Sequence, residues 1–131
     1  MDKIGAPVFM MKEKTGYTLH YPNHHSGRFH IHCISELTQN DFEFMLSILN
    51  LWSVGTQEGV YTFPRTAITN VELSVHLRKR GIDNYILHIN LGSLLLSEMN
   101  QLEFDELVKD LTMLQTREIG SKVYFQPIKY R

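Results

Sequence analysis

ELTQNDFEFMLSIL (Glu36–Leu49) and EMNQLEFDELVKDL (Glu98–Leu111) are the two stretches on which the reading of this chain turns. Laid over one another, 62 positions apart, they share Glu36/Glu98, Gln39/Gln101, Phe42/Phe104 and Leu49/Leu111, and Leu37, Asp41, Glu43, Met45 and Leu46 meet close relatives. Each begins as a helix does. Thr38 with Asp41, and Asn100 with Glu103, hold the N-cap and N3 places, where a short polar side chain and a carboxylate satisfy backbone N–H groups that the first turn leaves unpaired. Apolar residues then follow at i, i+3, i+4 and i+7: Phe42, Met45, Leu46, Leu49 in one, Phe104, Leu107, Val108, Leu111 in the other. That spacing lays one apolar stripe along each helix.

Upstream of each helix, YTLHYPNHHSGRFHIHCI (Tyr17–Ile34) lies over LSVHLRKRGIDNYILHIN (Leu73–Asn90) at a separation of 56, setting His20 against His76 and His32 against His88. Alternating apolar residues flank a polar seven-residue loop in both. They are Tyr17, Leu19, Tyr21 then Phe29, Ile31, Cys33, and Leu73, Val75, Leu77 then Tyr85, Leu87, Ile89. Period-two alternation of this kind marks half-buried strands of a hairpin. GSLLLS (Gly92–Ser97) is then extra in the second stretch, as strand extension or helix start. Downstream, GVYTFP (Gly59–Pro64) and KVYFQP (Lys122–Pro127) match as closing strands, each ended by a proline that cannot donate to a ladder. PVFMMKEK (Pro7–Lys14) adds a strand at the N-terminus. The expected fold is therefore α+β, with duplicated β-β-α-β units, approximately 5–64 and 65–131, in one domain spanning 1–131. They would form one mainly antiparallel sheet with two helices on one face, related by a pseudo-twofold axis.

Composition narrows the function classes. The chain has 131 residues, 43% hydrophobic and 21% charged, in the range of a single globular domain. Thirteen Lys and Arg against fourteen Asp and Glu give a formal charge of −1 and no general field for nucleic acid or anionic lipid. One cysteine, Cys33, allows no disulfide framework and fits a reducing, cytoplasmic setting. Neither a signal peptide nor a membrane-spanning apolar run is present, so a soluble protein is expected.

The two helices differ away from their shared stripe. Phe44 and Ile48 stand where Glu106 and Asp110 stand in the second, and Leu51 and Trp52 follow, so the first helix is apolar nearly all round. Such a helix needs cover on two sides, and Phe44, Ile48, Leu51 and Trp52 are the expected partner interface, with a homodimer as the sharpest form of it.

Histidines offer an alternative chemistry. If Tyr21 pairs with Phe29, His20 lies across from His30 with His32 on the diagonal, within about 5–8 Å, and three neutral imidazoles could hold zinc with a position open to water. Cys33 is expected on the apolar face, as a small hydrophobe. HIHCISE (His30–Glu36) is similar to the His-x-His-x3-Glu core of the cupin metal motif. The flanking glycines and the second motif of that family are absent, so its fold and chemistry do not carry over. HIHC (His30–Cys33) and HINL (His88–Leu91) are similar to the paired His-x-Ser/Thr strands of the two-histidine phosphoesterases. His32 and Asn90 stand in place of the hydroxyl, which removes the phosphate contact. No glycine-rich phosphate loop, His-Glu-x-x-His helix or Gly-x-Ser-x-Gly elbow occurs. Arg78, Lys79 and Arg80 form one basic loop that could touch phosphate, but a nucleic-acid-binding domain usually carries a longer basic stripe. The sequence thus favours a small non-enzymatic interaction protein, with a metal-binding or metal-dependent hydrolytic protein and a nucleic-acid-binding accessory protein as alternatives.

Overall fold

The computed structural model describes residues 3–4, 7–25, 28–65, 74–90 and 94–130; residues 3–4, 23–25, 28–31 and 129–130 are described by their backbone pairing. In chain order the elements are β1 (Lys3–Ile4), β2 (Phe9–Lys12), β3 (Tyr17–His25), β4 (Arg28–Leu37), α1 (Gln39–Val54), β5 (Gly59–Thr62), β6 (Ser74–Lys79), β7 (Tyr85–Asn90), β8 (Leu94–Met99), α2 (Gln101–Leu114), β9 (Lys122–Tyr124) and β10 (Lys129–Tyr130). The α+β class is as expected. Both helices start where their caps place them. The Thr38 hydroxyl accepts from Asp41 N at 3.1 Å while Thr38 N donates to the Asp41 carboxylate at 3.0 Å, and Asn100 with Glu103 repeats the exchange at 2.8 and 3.0 Å.

The strands form two antiparallel sheets rather than one, in the orders β4-β3-β2-β9 and β1-β10-β8-β7-β6-β5. Alternation marks a strand but does not name its neighbour, and here the closing strands leave their own hairpins. β5 follows α1 yet pairs with β6, and β9 follows α2 yet pairs with β2. Leu94–Met99 is a full strand that runs into α2 as β4 runs into α1. Consequently β3 corresponds in place to β7, and β4 to β8. The overlay of the two hairpins at 56 positions sets β3 on β6 and β4 on β7, one strand away from this order, in which His20 of β3 and His88 of β7 hold like places in their sheets. Leu73, the expected first residue of the second hairpin, lies outside the described residues, as do Gly92 and Ser93.

With that correspondence, the same contacts occur in both halves. Tyr17 stacks on Phe42 at 3.7 Å and Tyr85 on Phe104 at 3.8 Å, with the rings 11° and 7° from parallel. The Gln39 side chain hydrogen-bonds the Tyr17 hydroxyl, and the Tyr85 hydroxyl donates to Gln101 at 2.8 Å. Two wholly buried serines tie the strand before each helix to the chain beyond the closing strand: Ser35 donates to Pro64 O at 2.6 Å and Ser97 to Gln126 O at 2.7 Å. Phe63 N donates to Val75 O and Phe125 N to Val8 O, which fixes each closing strand on the opposite half's sheet.

The helix C-termini are satisfied across the halves too. Neither helix has a basic residue in its last turn. Lys79, buried in β6, donates to Trp52 O and to Gly55 O at the end of α1, while Lys12 of β2 donates to Gln115 O and Arg117 O at 2.6 and 2.8 Å beyond α2. An ammonium group there meets both the orphan carbonyls and the negative end of the helix dipole. One hydrophobic core contains residues of both sheets and both helices, from Val8 and Met10 to Phe125 and Ile128. Gly16 admits the end of β4 closely: a Cβ there would stand 2.2 Å from Leu37 O.

Candidate functional site

Alpha helix α1 packs against β4, β5 and α2, and α2 against β8, β9 and α1. Between the helices, Ser53 donates to Asp105 at 2.5 Å and the Gln101 amide to Ser53 O at 3.3 Å. The side of α1 turned from α2 carries Phe44, Ile48 and Leu51 at i, i+4 and i+7. Phe44 is 61% exposed and Leu51 69%, Ile48 is half-buried against the core, and Val54 beyond them is 87% exposed. Phe44 also leans on Tyr61 of β5, ring centroids 6.4 Å apart, whose hydroxyl is pushed up to about 12 by burial and by Asp41. Three of the four expected interface residues thus lie on one open stripe. Trp52 does not: it is buried, closing over Gly59, where a Cβ would meet the indole at 2.9 Å. Its place in the 3.6-residue period puts it on the core flank of the stripe.

The corresponding side of α2 carries Glu106, Asp110 and Met113. Here a groove of about 390 Å³ opens between α2 and β9, lined by Leu102, Glu103, Glu106, Asp110, Tyr124 and Phe125 among others. β5 and β9 each end their sheet among the described residues. The sequence marked Glu106 and Asp110 only as a contrast to the first helix; the groove beside them depends on β9 arriving from the far end of the chain.

The first hairpin differs from its expected register. His20 pairs with Cys33, Tyr21 with His32 and Asn23 with His30, because the ladder shifts between Leu19 and His20 and β4 carries an extra residue there. That bulge leaves Ile34 and Ser35 both buried and turns Cys33 away from the core face to stand opposite His20. Its thiol is pushed up, chiefly by burial and then by Glu36. His20 and His32 therefore occupy alternate faces of the ladder, and the side chains of His24, His25 and His30 lie outside the described residues. Among the described residues no three His, Cys, Asp or Glu are grouped to hold a metal ion.

His20 has other partners. The Thr18 hydroxyl donates to Glu13 at 2.9 Å and lies 2.7 Å from His20 Nε2, while the buried His20 Nδ1 has no hydrogen-bond partner among the described residues. Phe9 stacks on the ring at 5.0 Å. Burial holds His20 below its ordinary value, against Glu13 and with help from Lys122. At the corresponding place in the other sheet, His88 stacks on His76 across β6 and β7, centroids 4.6 Å apart and 14° from parallel. Burial lowers both, with Arg78 acting on His76, and His76, Arg78 and Arg80 on His88.

The basic loop is divided by the alternation of β6. Arg78 is half-buried, Arg80 follows the strand and is exposed, and Lys79 points inward to hold the end of α1, leaving two arginines for any outside ligand. No helix among the described residues is long and apolar enough to cross a membrane. The arrangement is an α+β domain with an apolar helix edge and an acidic groove at corresponding places. No protein family, curated protein or solved structure matches the chain.

Proposed function

We propose that this is a small non-enzymatic interaction protein that binds through the Phe44–Ile48–Leu51 edge of α1, with a second copy of itself as partner. The observation that carries the reading is that Phe44 and Ile48 stand where the matching helix has Glu106 and Asp110, with Leu51 continuing the exposed apolar stripe, beside β5 at the end of its sheet among the described residues. Exposed large apolar groups in a row favour association, and a stripe centred on Ile48 can meet its own image with Phe44 against Leu51 in a twofold interface. We also infer that the halves are copies of one β-β-β-α-β unit related by a pseudo-twofold axis. The recurrence of the stack, the buried serine, the capping box and the crossed lysine supports that reading.

Sedimentation equilibrium on the full chain tests the function. The unchanged protein is expected to be dimeric at micromolar concentration, and Phe44→Glu with Leu51→Glu to be monomeric with an unaltered circular dichroism spectrum and a lower melting temperature, since the dimer no longer adds stability. A monomer before substitution, or a dimer that survives it, defeats the proposal.

A further inference from the structure

The groove between α2 and β9 belongs to a different surface, and what it offers does not depend on how α1 is used. Among the described residues its lining holds three carboxylates, Glu103, Glu106 and Asp110, and no basic residue. Glu103 is engaged in the helix cap, whereas Glu106 and Asp110 are exposed and make no hydrogen bond or ion pair among the described residues. Leu102 is 70% exposed at one end of the groove. The opposite wall is backbone. Phe125 N donates to Val8 O on the β2 side, so by alternation the N–H and C=O of Tyr124 and of Lys122 face away from β2, toward the open side. An edge of this kind is a template for a further strand.

We propose that this groove binds an extended, basic segment of a partner protein, added as a strand to the open edge of β9, with its lysine or arginine side chains on Glu106 and Asp110 and an apolar residue against Leu102. Main-chain hydrogen bonds would supply affinity and the alternate side chains selectivity, as in other complexes in which a peptide extends a sheet. Charge argues for this occupant: paired exposed carboxylates beside an open strand edge favour a basic segment, and an acidic segment would be repelled. The matching place beside α1 offers different chemistry, because Phe44, leaning on Tyr61, and Ile48 stand where Glu106 and Asp110 stand here.

The test uses the full chain and a fluorescein-labelled peptide of alternating lysine and valine, with a twin bearing glutamate in place of lysine. The lysine peptide is expected to bind with an affinity that falls as salt rises, and the glutamate peptide not to bind. Glu106→Lys with Asp110→Lys should weaken binding about tenfold or more, as reversal of paired interface charges does. Hydrogen exchange at the Lys122 and Tyr124 amides should slow in the complex. Two independent readouts guard against a misfolded variant. Equal binding of both peptides, binding indifferent to charge reversal, or unslowed β9 amides would each overturn the proposal, as would a dimer of the protein that charge reversal dissolves. A dimer that this charge reversal dissolves would also overturn the dimer proposed through α1, whereas the other outcomes leave that dimer untouched.

Discussion

Phe44 and Glu106 hold the same place on two helices that are anchored alike. Around each, a Tyr-Phe stack closes the first turn, a buried serine ties the preceding strand to the chain beyond the closing strand, and a lysine from the other half meets the last carbonyls. Beyond these anchors the surfaces part company, one apolar with Phe44 leaning on Tyr61 of β5, the other acidic with a groove beside β9. The difference teaches that the contacts within the fold constrain residues more tightly than the surface does. Packing and buried hydrogen bonds fail steeply when altered, while an exposed helix position accepts Phe or Glu at little cost to stability.

The largest expected effects probe the anchors. Phe42→Ala and Phe104→Ala should each cost about 3–5 kcal/mol, the usual range for truncating a buried aromatic, and urea denaturation should find the two losses similar. Unequal losses would break the comparison between the stacks. A smaller and unequal pair comes next. Lys79→Met removes two hydrogen bonds from a wholly buried ammonium and should cost about 3 kcal/mol, whereas Lys12→Met acts at a site half open to water and should cost less than half of that, about 1 kcal/mol. Equal losses would show that burial of Lys79 contributes nothing.

The smallest effect separates the outer sheet faces. His20, His76 and His88 all lie below the ordinary histidine value of 6.5, chiefly through burial. Their neutral forms are favoured in the folded chain, so the unfolded chain takes up protons first. Stability should be full above about pH 6.5 and decline as pH falls through the folded values. His76→Phe would recreate beside His88 the aromatic pair that Phe9 makes with His20. It should flatten the decline and raise the His88 titration point, followed by NMR. An unchanged His88 titration would show that the stacked imidazole exerts no charge effect on its neighbour.

How much of this was legible follows from range. The capping pairs Thr38/Asp41 and Asn100/Glu103 and the stripes behind them were readable, because a helix start is decided by residues within one turn of each other. The strand pattern at Pro7–Lys14 and both closing segments were readable for the same reason. Gly92–Ser97 stays open in the sequence between strand extension and helix start, and the overlay at 56 positions sets His20 on His76, one strand away from His88 of β7. In the apolar run LLLSEM the helix and strand periods are not distinguishable until its neighbours are known. The exposed Phe44 and Leu51 were visible as a departure from the α2 pattern, but the burial of Trp52 was not, since Gly59 had to be brought over it.

By itself, then, the sequence determined local matters: two capped amphipathic helices, alternating strands, an α+β class, and the substitution of Phe44 and Ile48 for Glu106 and Asp110. Only the tertiary structure decided that β5 and β9 cross to the opposite sheets, that Lys79 and Lys12 hold each other's helix, that a bulge turns Cys33 toward His20, and that an acidic groove opens beside β9. The physical reason is that residue spacing along the chain fixes which face of an element is apolar, whereas strand partnership and the contacts of a long side chain are settled by what is brought against that face from far along the chain.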